Sequence, residues 1–283
     1  MRRIDPKVVH RRPELSQHFL RSAAVARAIV RRMRLPAGSL VVEPGAGDGV
    51  LTRALADAGH RVIAIEKDGG AFEMLRARLA GCNLVECVYA DFLDYALPKS
   101  AYSVAANVPY SITAAILRKL LHAARPPDVA GLIVQREAAE KFAGIPRETQ
   151  FSLLHKPWFE IAIDGIVSRR DFVPVPRVAS ALLEVRRREA PILPGTRAHV
   201  YRAFIENGFR YGSPDISHGL RRYLTTRQIQ RLARDVGFSR TGSASQLTFG
   251  QWLAIFRFVE HECLGHDPTW RADATPLYSL YAA

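Results

Sequence analysis

Short apolar runs alternate with amphipathic stretches through the first two-thirds of the chain. The apolar runs have the length of buried strands, and the amphipathic stretches repeat their apolar residues at helical spacing. Strands that are apolar on both faces and alternate with helices are typical of an α/β fold, with a parallel sheet covered on both sides. The predicted strands are 40–42, 61–65, 83–89, 102–106 and 129–134, and the predicted helices are 50–58, 70–80, 111–122 and 137–142.

The pattern changes near residue 190. Segments 161–167 and 181–185 predict a closing antiparallel pair, and beyond them the apolar spacing is helical only, at 199–209, 217–223, 226–236 and 248–262. Residues 265–283 show no periodicity and are expected to be loose. We therefore predict a basic N-terminal arm (1–15), an α/β domain (16–189), a small all-helical domain (190–264) and a tail (265–283).

The charge of the chain indicates its partner. A net charge of +13 and a sequence pI of about 10.1 favour a polyanion, and nucleic acid above all. A basic surface retained for solubility is the alternative. Several arginines form candidate RNA contacts, although each one could equally be a solvated surface charge. They are Arg11 and Arg12 in the arm, Arg27, Arg31 and Arg34 on a helix capped by Ser22, and Arg221 and Arg222 in the helical domain.

Several classes of protein do not fit the sequence. No apolar run approaches the roughly twenty residues of a membrane-spanning helix, and the basic N-terminus lacks the apolar core of a secretory signal. The three cysteines, Cys82, Cys87 and Cys263, form no CxxC pair. We expect a cytoplasmic monomer without a metal site or a disulfide framework.

A glycine-rich loop follows the first strand of the α/β domain. Gly45, Gly47 and Gly49 let the backbone approach a ligand closely. Their spacing differs from the Gly-X-Gly-X-X-Gly of pyrophosphate binding, and Glu43 and Asp48 would repel a diphosphate. Two carboxylates favour a cationic ligand, so the loop indicates S-adenosylmethionine rather than NAD, with a plain glycine turn as the alternative.

Polar residues also stand where the next strands end. Glu66 occupies the position that accepts ribose hydroxyls in doubly wound sheets. Asp91 is a candidate acceptor for the amino group of the cofactor's adenine, and Phe92 a packing surface for that ring. Each has an ordinary alternative, namely a surface acid paired with Lys67 for Glu66 and a helix or turn cap for Asp91. Their joint occurrence with Glu43 and Asn107 at four strand ends is what favours a binding site.

The tetrapeptide 107–110, Asn-Val-Pro-Tyr, carries the candidate chemistry. The Asn107 amide and the Pro109 carbonyl can accept both protons of an exocyclic amine, and the Tyr110 ring can stack on a base. Such a short motif also occurs in simple turns, so its context has to support it.

These motifs together resemble the ribosomal RNA adenine N6-methyltransferases. The resemblance covers roughly residues 14–188 and includes the Ser-Gln-His-Phe-Leu segment 16–20, the acidic glycine loop, the strand-end residues, Asn-Val-Pro-Tyr, and the Pro-rich loop 172–178. It is closest to the erythromycin-resistance (Erm) methyltransferases of 23S rRNA. It implies a Rossmann-like class I methyltransferase sheet, S-adenosylmethionine as cofactor and a helical RNA-binding domain.

The resemblance also implies residue roles and a biological function. Catalysis would involve Asn107, Pro109, Tyr110 and Phe172, with Phe172 on the second face of the base. The cofactor residues would be Gln17, His18, Leu20, Glu43, Gly45, Gly47, Glu66, Asp91, Phe92 and Asn107. The function implied is methylation of one 23S rRNA adenine at N6, which confers macrolide-lincosamide-streptogramin B resistance.

Other functions stay open. A small-subunit (16S) rRNA dimethyladenosine transferase is the main alternative, although those relatives usually have Leu where this chain has Val108 and a basic string where it has 204–210. A non-catalytic RNA- or DNA-binding relative and a methyltransferase of DNA adenine or protein amide are further alternatives. Two residues depart from the Erm pattern, since His18 and Ala179 stand in place of the usual Asn and Asp.

Overall fold

The computed structural model describes residues 18–212 and 215–263. The chain divides into two compact units. One contains the described residues up to Ala139 together with Glu160–Arg187, and the other contains Glu140–Phe159 together with the described residues from Arg188 onward. The second unit therefore also includes a segment that the sequence pattern assigns to the α/β domain. The predicted arm (1–15) and tail (265–283) lie outside the described residues.

The first unit is built on a seven-stranded sheet with the strand order β4-β3-β2-β5-β6-β9-β7. Strands β2 to β6 pair in parallel, and β9 is antiparallel to β6. The strands are β2 (Leu40–Pro44), β3 (Arg61–Glu66), β4 (Val85–Tyr89), β5 (Ser103–Asn107), β6 (Val129–Gln135), β7 (Phe159–Val167) and β9 (Ser180–Arg187). The predicted methyltransferase sheet is confirmed.

Helix α1 (Ala23–Met33) precedes the parallel strands, and four further helices follow β2, β3, β5 and β6, as the alternating pattern predicts. These are α2 (Val50–Asp57), α3 (Gly69–Arg78), α4 (Thr113–Leu121) and α5 (Arg136–Ala143). Ser22 caps α1, because its side chain accepts a hydrogen bond from the N–H of Val25 at 3.3 Å. The apolar face of α1 contributes Ile29 and Met33 to the core of this unit.

A small two-stranded sheet joins two distant parts of the chain. β1 (Phe19–Leu20) pairs antiparallel with β8 (Phe172–Val173), with Phe19 opposite Val173. The sequence analysis places Phe172 in a loop and assigns no strand to residues 19–20, because two-residue strands are too short to show alternation. This pairing brings the N-terminal motif beside the Pro-rich loop.

The second unit is helical. Its helices are α6 (Gln150–His155), α7 (Ala198–Tyr211), α8 (Ile216–Leu220), α9 (Thr226–Val236) and α10 (Phe249–Cys263). Trp252 and Phe204 lie in the middle of its apolar core, with 0% and 1% of their surfaces exposed. Within the described residues, no helix is long and apolar enough to cross a membrane.

Candidate functional site

Four predicted residues meet at the carboxyl end of the parallel sheet. Glu43 lies in β2, Glu66 ends β3, Asn107 ends β5, and Asp91 follows β4. All four line a single cavity, because parallel strands present their carboxyl ends at the same edge. The other predicted residues in its wall are His18, Leu20, Gly45, Gly47, Phe92, Pro109 and Tyr110.

The glycine loop between β2 and α2 lines the cavity with a backbone conformation that favours glycine. Gly45 and Gly47 have φ angles of 66° and 58°, in the left-handed region. A Cβ at position 47 would lie 2.9 Å from Cε1 of Phe19, so the Phe19 ring would have to move to admit a side chain there. The loop is thus closely covered by the N-terminal segment.

Glu66 organises the loops around it through its carboxylate. Oε2 accepts the N–H of Gly47, and Oε1 accepts the N–H groups of Lys67 and Asp68, each at 2.8 Å. A carboxylate can accept about four hydrogen bonds, so one position stays open. Glu66 can therefore hold the loop and still accept a hydroxyl from a ligand.

Glu43 is a buried acid with one oxygen that lacks a donor. The residue is 2% exposed, and among the described residues Oε2 has no hydrogen-bond partner. Burial raises the pKa of Glu43 to about 8, the charges of Asp48 and Glu66 add to that effect, and the Thr52 hydroxyl opposes it. This carboxyl is mostly protonated at neutral pH, and a cationic ligand would favour its ionised form.

Asp91 stays ionised at the opposite side of the cavity. The N–H of Leu93 donates to Oδ1 at 2.9 Å, and Lys67 Nζ lies 3.1 Å from Oδ2. These contacts hold the pKa of Asp91 below its usual range, and the hydrogen bond from Leu93 contributes most to the shift. Phe92 lines the cavity and is 5% exposed, with Lys119 Nζ 5.2 Å from its ring centroid.

The side chain of Asn107 is oriented by the N-terminal segment. Its Nδ2 donates to the backbone carbonyl of His18 at 2.5 Å. Because the amide is planar, this bond leaves Oδ1 as a free acceptor in the cavity wall. The carbonyl of Pro109 accepts the N–H of Ile112 at 3.1 Å. The Thr113 hydroxyl lies 3.5 Å from the same oxygen and 3.3 Å from the carbonyl oxygen of Tyr110, so it is shared between the two.

Tyr110 borders the same cavity as an aromatic wall. Its ring centroid lies 5.7 Å from that of His18, and its hydroxyl lies 2.8 Å from Oγ of Ser180. The His18 ring contacts the carbonyl of Pro174 through Nδ1 at 2.9 Å. His18 thus links the Pro-rich loop to the Asn-Val-Pro-Tyr motif, a role that the sequence pattern does not indicate.

Phe172 is not brought into the cavity. It starts β8 and lies in the apolar core with 1% of its surface exposed. The ring is therefore not available to stack on a ligand in this structure. The physical reason is the β1–β8 pairing, which places Phe172 opposite Leu20 and buries both side chains.

The predicted RNA-binding arginines differ in their surroundings. Arg27, Arg31 and Arg221 are exposed and have no side-chain partner among the described residues. Arg34 instead lies 3.6 Å from Asp164 and 3.7 Å from Glu184, and the Arg222 guanidinium lies 4.3 Å above the Tyr211 ring. Arg11, Arg12 and Gln17 lie outside the described residues.

Two residues at the site were missed by sequence reasoning. Ser180 contacts Tyr110 across 70 positions, and Lys119 donates to the carbonyls of Leu93 and Tyr95 at 2.7 and 2.6 Å. No local pattern marks a serine or a lysine for such distant contacts. No group of His, Cys, Asp and Glu within the described ranges could hold a metal ion.

The cavity fits the cofactor that the resemblance implies. The buried Glu43 oxygen without a donor suits a cation, the open acceptor of Glu66 suits a ribose hydroxyl, and the backbone at Gly47 is in close contact with Phe19. Asp91 together with Phe92 suits an aminated ring. These features favour S-adenosylmethionine over a diphosphate-containing nucleotide.

Comparison with known proteins points to one family. Residues 8–261 match the ribosomal RNA adenine dimethylases. An rRNA adenine N-6-methyltransferase of Streptomyces fradiae is 37% identical over 249 residues, which cover 87% of this chain and 78% of that protein. The mycinamicin-resistance protein MyrB of Micromonospora griseorubida is 31% identical over 90% of this chain and 81% of its own length. The crystal structure of the 23S rRNA methyltransferase ErmE superimposes with a TM-score of 0.80 at 31% identity, covering 86% of this chain and 99% of that one.

Proposed function

The chain belongs to the ribosomal RNA adenine dimethylase family and is an rRNA adenine N6-methyltransferase, and we propose that its substrate is one adenine of 23S rRNA. We propose further that this methylation confers resistance to macrolide, lincosamide and streptogramin B antibiotics. Similarity to a 23S rRNA methyltransferase and to a resistance protein supports both parts. Val108 and the absence of a basic string in 204–210 favour the same substrate. The proposal includes a monomeric, cytoplasmic enzyme.

S-adenosylmethionine supplies an electrophilic methyl group on a sulfonium sulfur when it is bound. In this proposal Glu43 and the glycine loop hold its cationic part, Glu66 accepts one ribose hydroxyl, and Asp91 with Phe92 receives its adenine. His18 and Leu20 cover the cavity from the N-terminal segment. Their shared location in one cavity is what supports these roles.

Asn107 and Pro109 would activate the target amine. Adenine N6 is a weak nucleophile, because its lone pair is delocalised into the ring. When Asn107 Oδ1 and the Pro109 carbonyl each accept one N6 proton, the nitrogen becomes more tetrahedral and its lone pair becomes available. The methylated amine then loses one proton to solvent, so the residues contribute mainly positioning and electrostatic stabilisation. The orientation of the Asn107 amide by the His18 carbonyl is the observation that carries this proposal.

Tyr110 would hold the target base after it leaves its stack. An adenine inside a helix cannot reach a cavity at the end of a sheet, so it has to be extruded. Stacking on an aromatic ring contributes about 1–3 kcal/mol per base. The Tyr110 ring is the aromatic surface that the cavity wall offers next to Asn107 and Pro109.

Expression in a macrolide-sensitive bacterium tests the substrate. We expect a reverse-transcription stop at one 23S rRNA adenine and growth on erythromycin, with neither in cells that express Asn107→Ala to the same level. Tandem stops near the 3′ end of 16S rRNA without resistance would instead identify a small-subunit dimethyladenosine transferase. No stop on either RNA from a folded protein would contradict the proposal.

A further inference from the structure

The phenol of Tyr110 is anchored by a side chain that lies behind the cavity wall. Its hydroxyl lies 2.8 Å from Oγ of Ser180, which is 0% exposed and does not line the cavity. Ser180 is the first residue of β9, where it pairs with Gln135 of β6. The next two residues of that strand, Ala181 and Leu182, are 0% exposed as well. Ser180 is therefore a buried residue whose position is held by the pairing of β9 with β6.

The other end of the Tyr110 side chain is also held. Its backbone enters a single turn of 3₁₀ helix (Tyr110–Ile112), and the Thr113 hydroxyl donates to the Tyr110 carbonyl at 3.3 Å. The His18 ring stands beside the phenol at an interplanar angle of 37°. A tyrosine ring has two side-chain torsions, and with the backbone and the hydroxyl both fixed, neither torsion is free to change.

A ring fixed in advance is more useful to a base-extruding enzyme than a mobile one. Ordering a side chain upon binding costs conformational entropy, and a ring that is already ordered avoids this cost. A stacked base also has to present its amine to two acceptors within narrow limits of distance and angle, because misplacement of the reacting atoms slows the reaction steeply. The plane of the Tyr110 ring sets the plane of the base.

We propose that Ser180 is a positioning residue for methyl transfer, because it fixes the Tyr110 ring at the orientation that presents the target amine to Asn107 and Pro109. This inference rests on the proposed function. It assigns Ser180 no contact with cofactor or substrate. Its effect should therefore appear in the turnover and in the stacking of the base, and cofactor affinity should not change.

A double-mutant cycle separates this role from ordinary core packing. The variants are Ser180→Ala, Tyr110→Phe and the two combined, with Ser103→Ala as the matched control. Ser103 is a buried serine in β5 of the same sheet, 1% exposed, and among the described residues its hydroxyl has no hydrogen-bond partner. Each enzyme is measured for cofactor affinity, melting temperature, and kcat and KM on an rRNA fragment that the wild type methylates.

We expect kcat to fall about three- to tenfold in Ser180→Ala and in Tyr110→Phe, the range of one net hydrogen bond. The combined variant should be no slower than the slower single variant, because both substitutions remove the same hydrogen bond. Cofactor affinity should change by less than about twofold in all of them, and Ser103→Ala should match the wild type. With 2-aminopurine in place of the target adenine, the fluorescence quenching due to stacking should weaken in both single variants.

A multiplicative loss in the combined variant would overturn the inference, because it would mean that the two side chains act independently. If Ser180→Ala loses cofactor affinity or melting temperature, Tyr110→Phe decides, because it removes the same hydrogen bond without changing the buried serine. Wild-type kcat in Tyr110→Phe would then overturn the inference. A wild type that methylates no rRNA would refute the proposed function, whereas wild-type turnover with unaffected variants would refute only the role of Ser180.

Discussion

At the scale of single residues, the site depends on polar groups whose neighbours determine what remains free. Asn107 has its nitrogen occupied by the His18 carbonyl and its oxygen open to the cavity. Glu66 has most of its acceptor positions filled by backbone N–H groups, whereas Glu43 has an oxygen with no donor in the described structure. Which oxygen can accept a hydrogen bond from a ligand therefore depends on the partners of each residue as well as on the residue type.

Replacement of Asn107 tests the acceptor role directly. We expect Asn107→Ala to bind S-adenosylmethionine within about twofold of the wild type and to lose at least about a hundredfold in kcat, as enzymes do when one preorganised polar group is removed. Asn83→Ala, at an exposed asparagine before β4, is the matched control. Calorimetric cofactor titration and single-turnover methylation measure the two effects, and near-normal turnover in Asn107→Ala would exclude the mechanism.

The protonation of Glu43 predicts how cofactor binding depends on pH. Its pKa is about 8 in the folded protein instead of the ordinary value of 4.5, and a cation binds better to the ionised carboxylate. Binding below pH 8 therefore releases a proton, so affinity should rise with pH up to about 8 and then level off. Glu43→Gln should bind more weakly with a flat profile, and a wild-type profile equally flat between pH 6 and 9 would contradict this assignment.

The same pKa predicts an effect on stability with a definite sign. Between pH 4.5 and about 8, Glu43 ionises in the unfolded chain and stays protonated in the folded protein. Folding is therefore disfavoured progressively as the pH rises through this range. Without cofactor, Glu43→Gln should gain melting temperature over the wild type as the pH increases from 5 to 8. A melting-temperature difference between Glu43→Gln and the wild type that does not change with pH would mean that Glu43 is ionised in the folded protein.

At the scale of elements, short segments connect the parts of the site. The β1–β8 pair covers the glycine loop with Phe19 and brings the Pro-rich loop to His18. Helix α4 follows the Asn-Val-Pro-Tyr motif after one 3₁₀ turn, and its Lys119 donates to two carbonyls of the loop after Asp91. One helix thus connects that motif to the loop after Asp91.

The glycine loop offers a test of close packing at this scale. Gly47→Ala should lower cofactor affinity by at least about tenfold, because its Cβ would clash with Phe19 in addition to the strain of a positive φ. Gly59→Ala is the matched control, since Gly59 has a φ of 86° and no atom lies within 4 Å of the position that a Cβ would occupy there. Both variants share the backbone strain of about 1 kcal/mol or more, and only Gly47→Ala adds the clash. Equal cofactor affinities in the two would show that the contact with Phe19 does not matter.

At the scale of the whole molecule, the charge of +13 matches a polyanionic substrate. Part of that charge is neutralised within the first unit, since Arg32 and Arg34 both pair with Asp164. Arg27 and Arg31 on the same helix are exposed and unpaired in the described structure. Arg27 and Arg31 are therefore the arginines of α1 that we expect to contact phosphate.

The salt dependence of RNA binding tests this selection. Arg27→Ala with Arg31→Ala should reduce the slope of log K against log salt by about 1.5, because each phosphate that an arginine neutralises adds about 0.7–0.9 to that slope. Arg61→Ala serves as the control, because Arg61 is exposed at the amino end of β3, opposite to the cavity. Fluorescence anisotropy with a labelled rRNA fragment measures the slopes, and unchanged slopes in the double variant would remove α1 from the RNA-binding surface.

The sequence by itself determined the alternation of strands and helices, the parallel sheet and the strand-end positions of Glu43, Glu66, Asp91 and Asn107. These follow from local periodicity and from the geometry of parallel strands, both of which are encoded over short stretches. The helix Gln150–His155 was missed because six residues are too few to show helical spacing.

Only the tertiary structure decided how the site residues are oriented and which of them reach the cavity. It joined the Asn107 nitrogen to the His18 carbonyl, buried Phe172, paired Arg34 with two acids and placed Ser180 against Tyr110. Each of these outcomes depends on packing between segments far apart in the chain. Such packing leaves no local pattern, because burial and hydrogen-bond partners are set only when the distant segments come together.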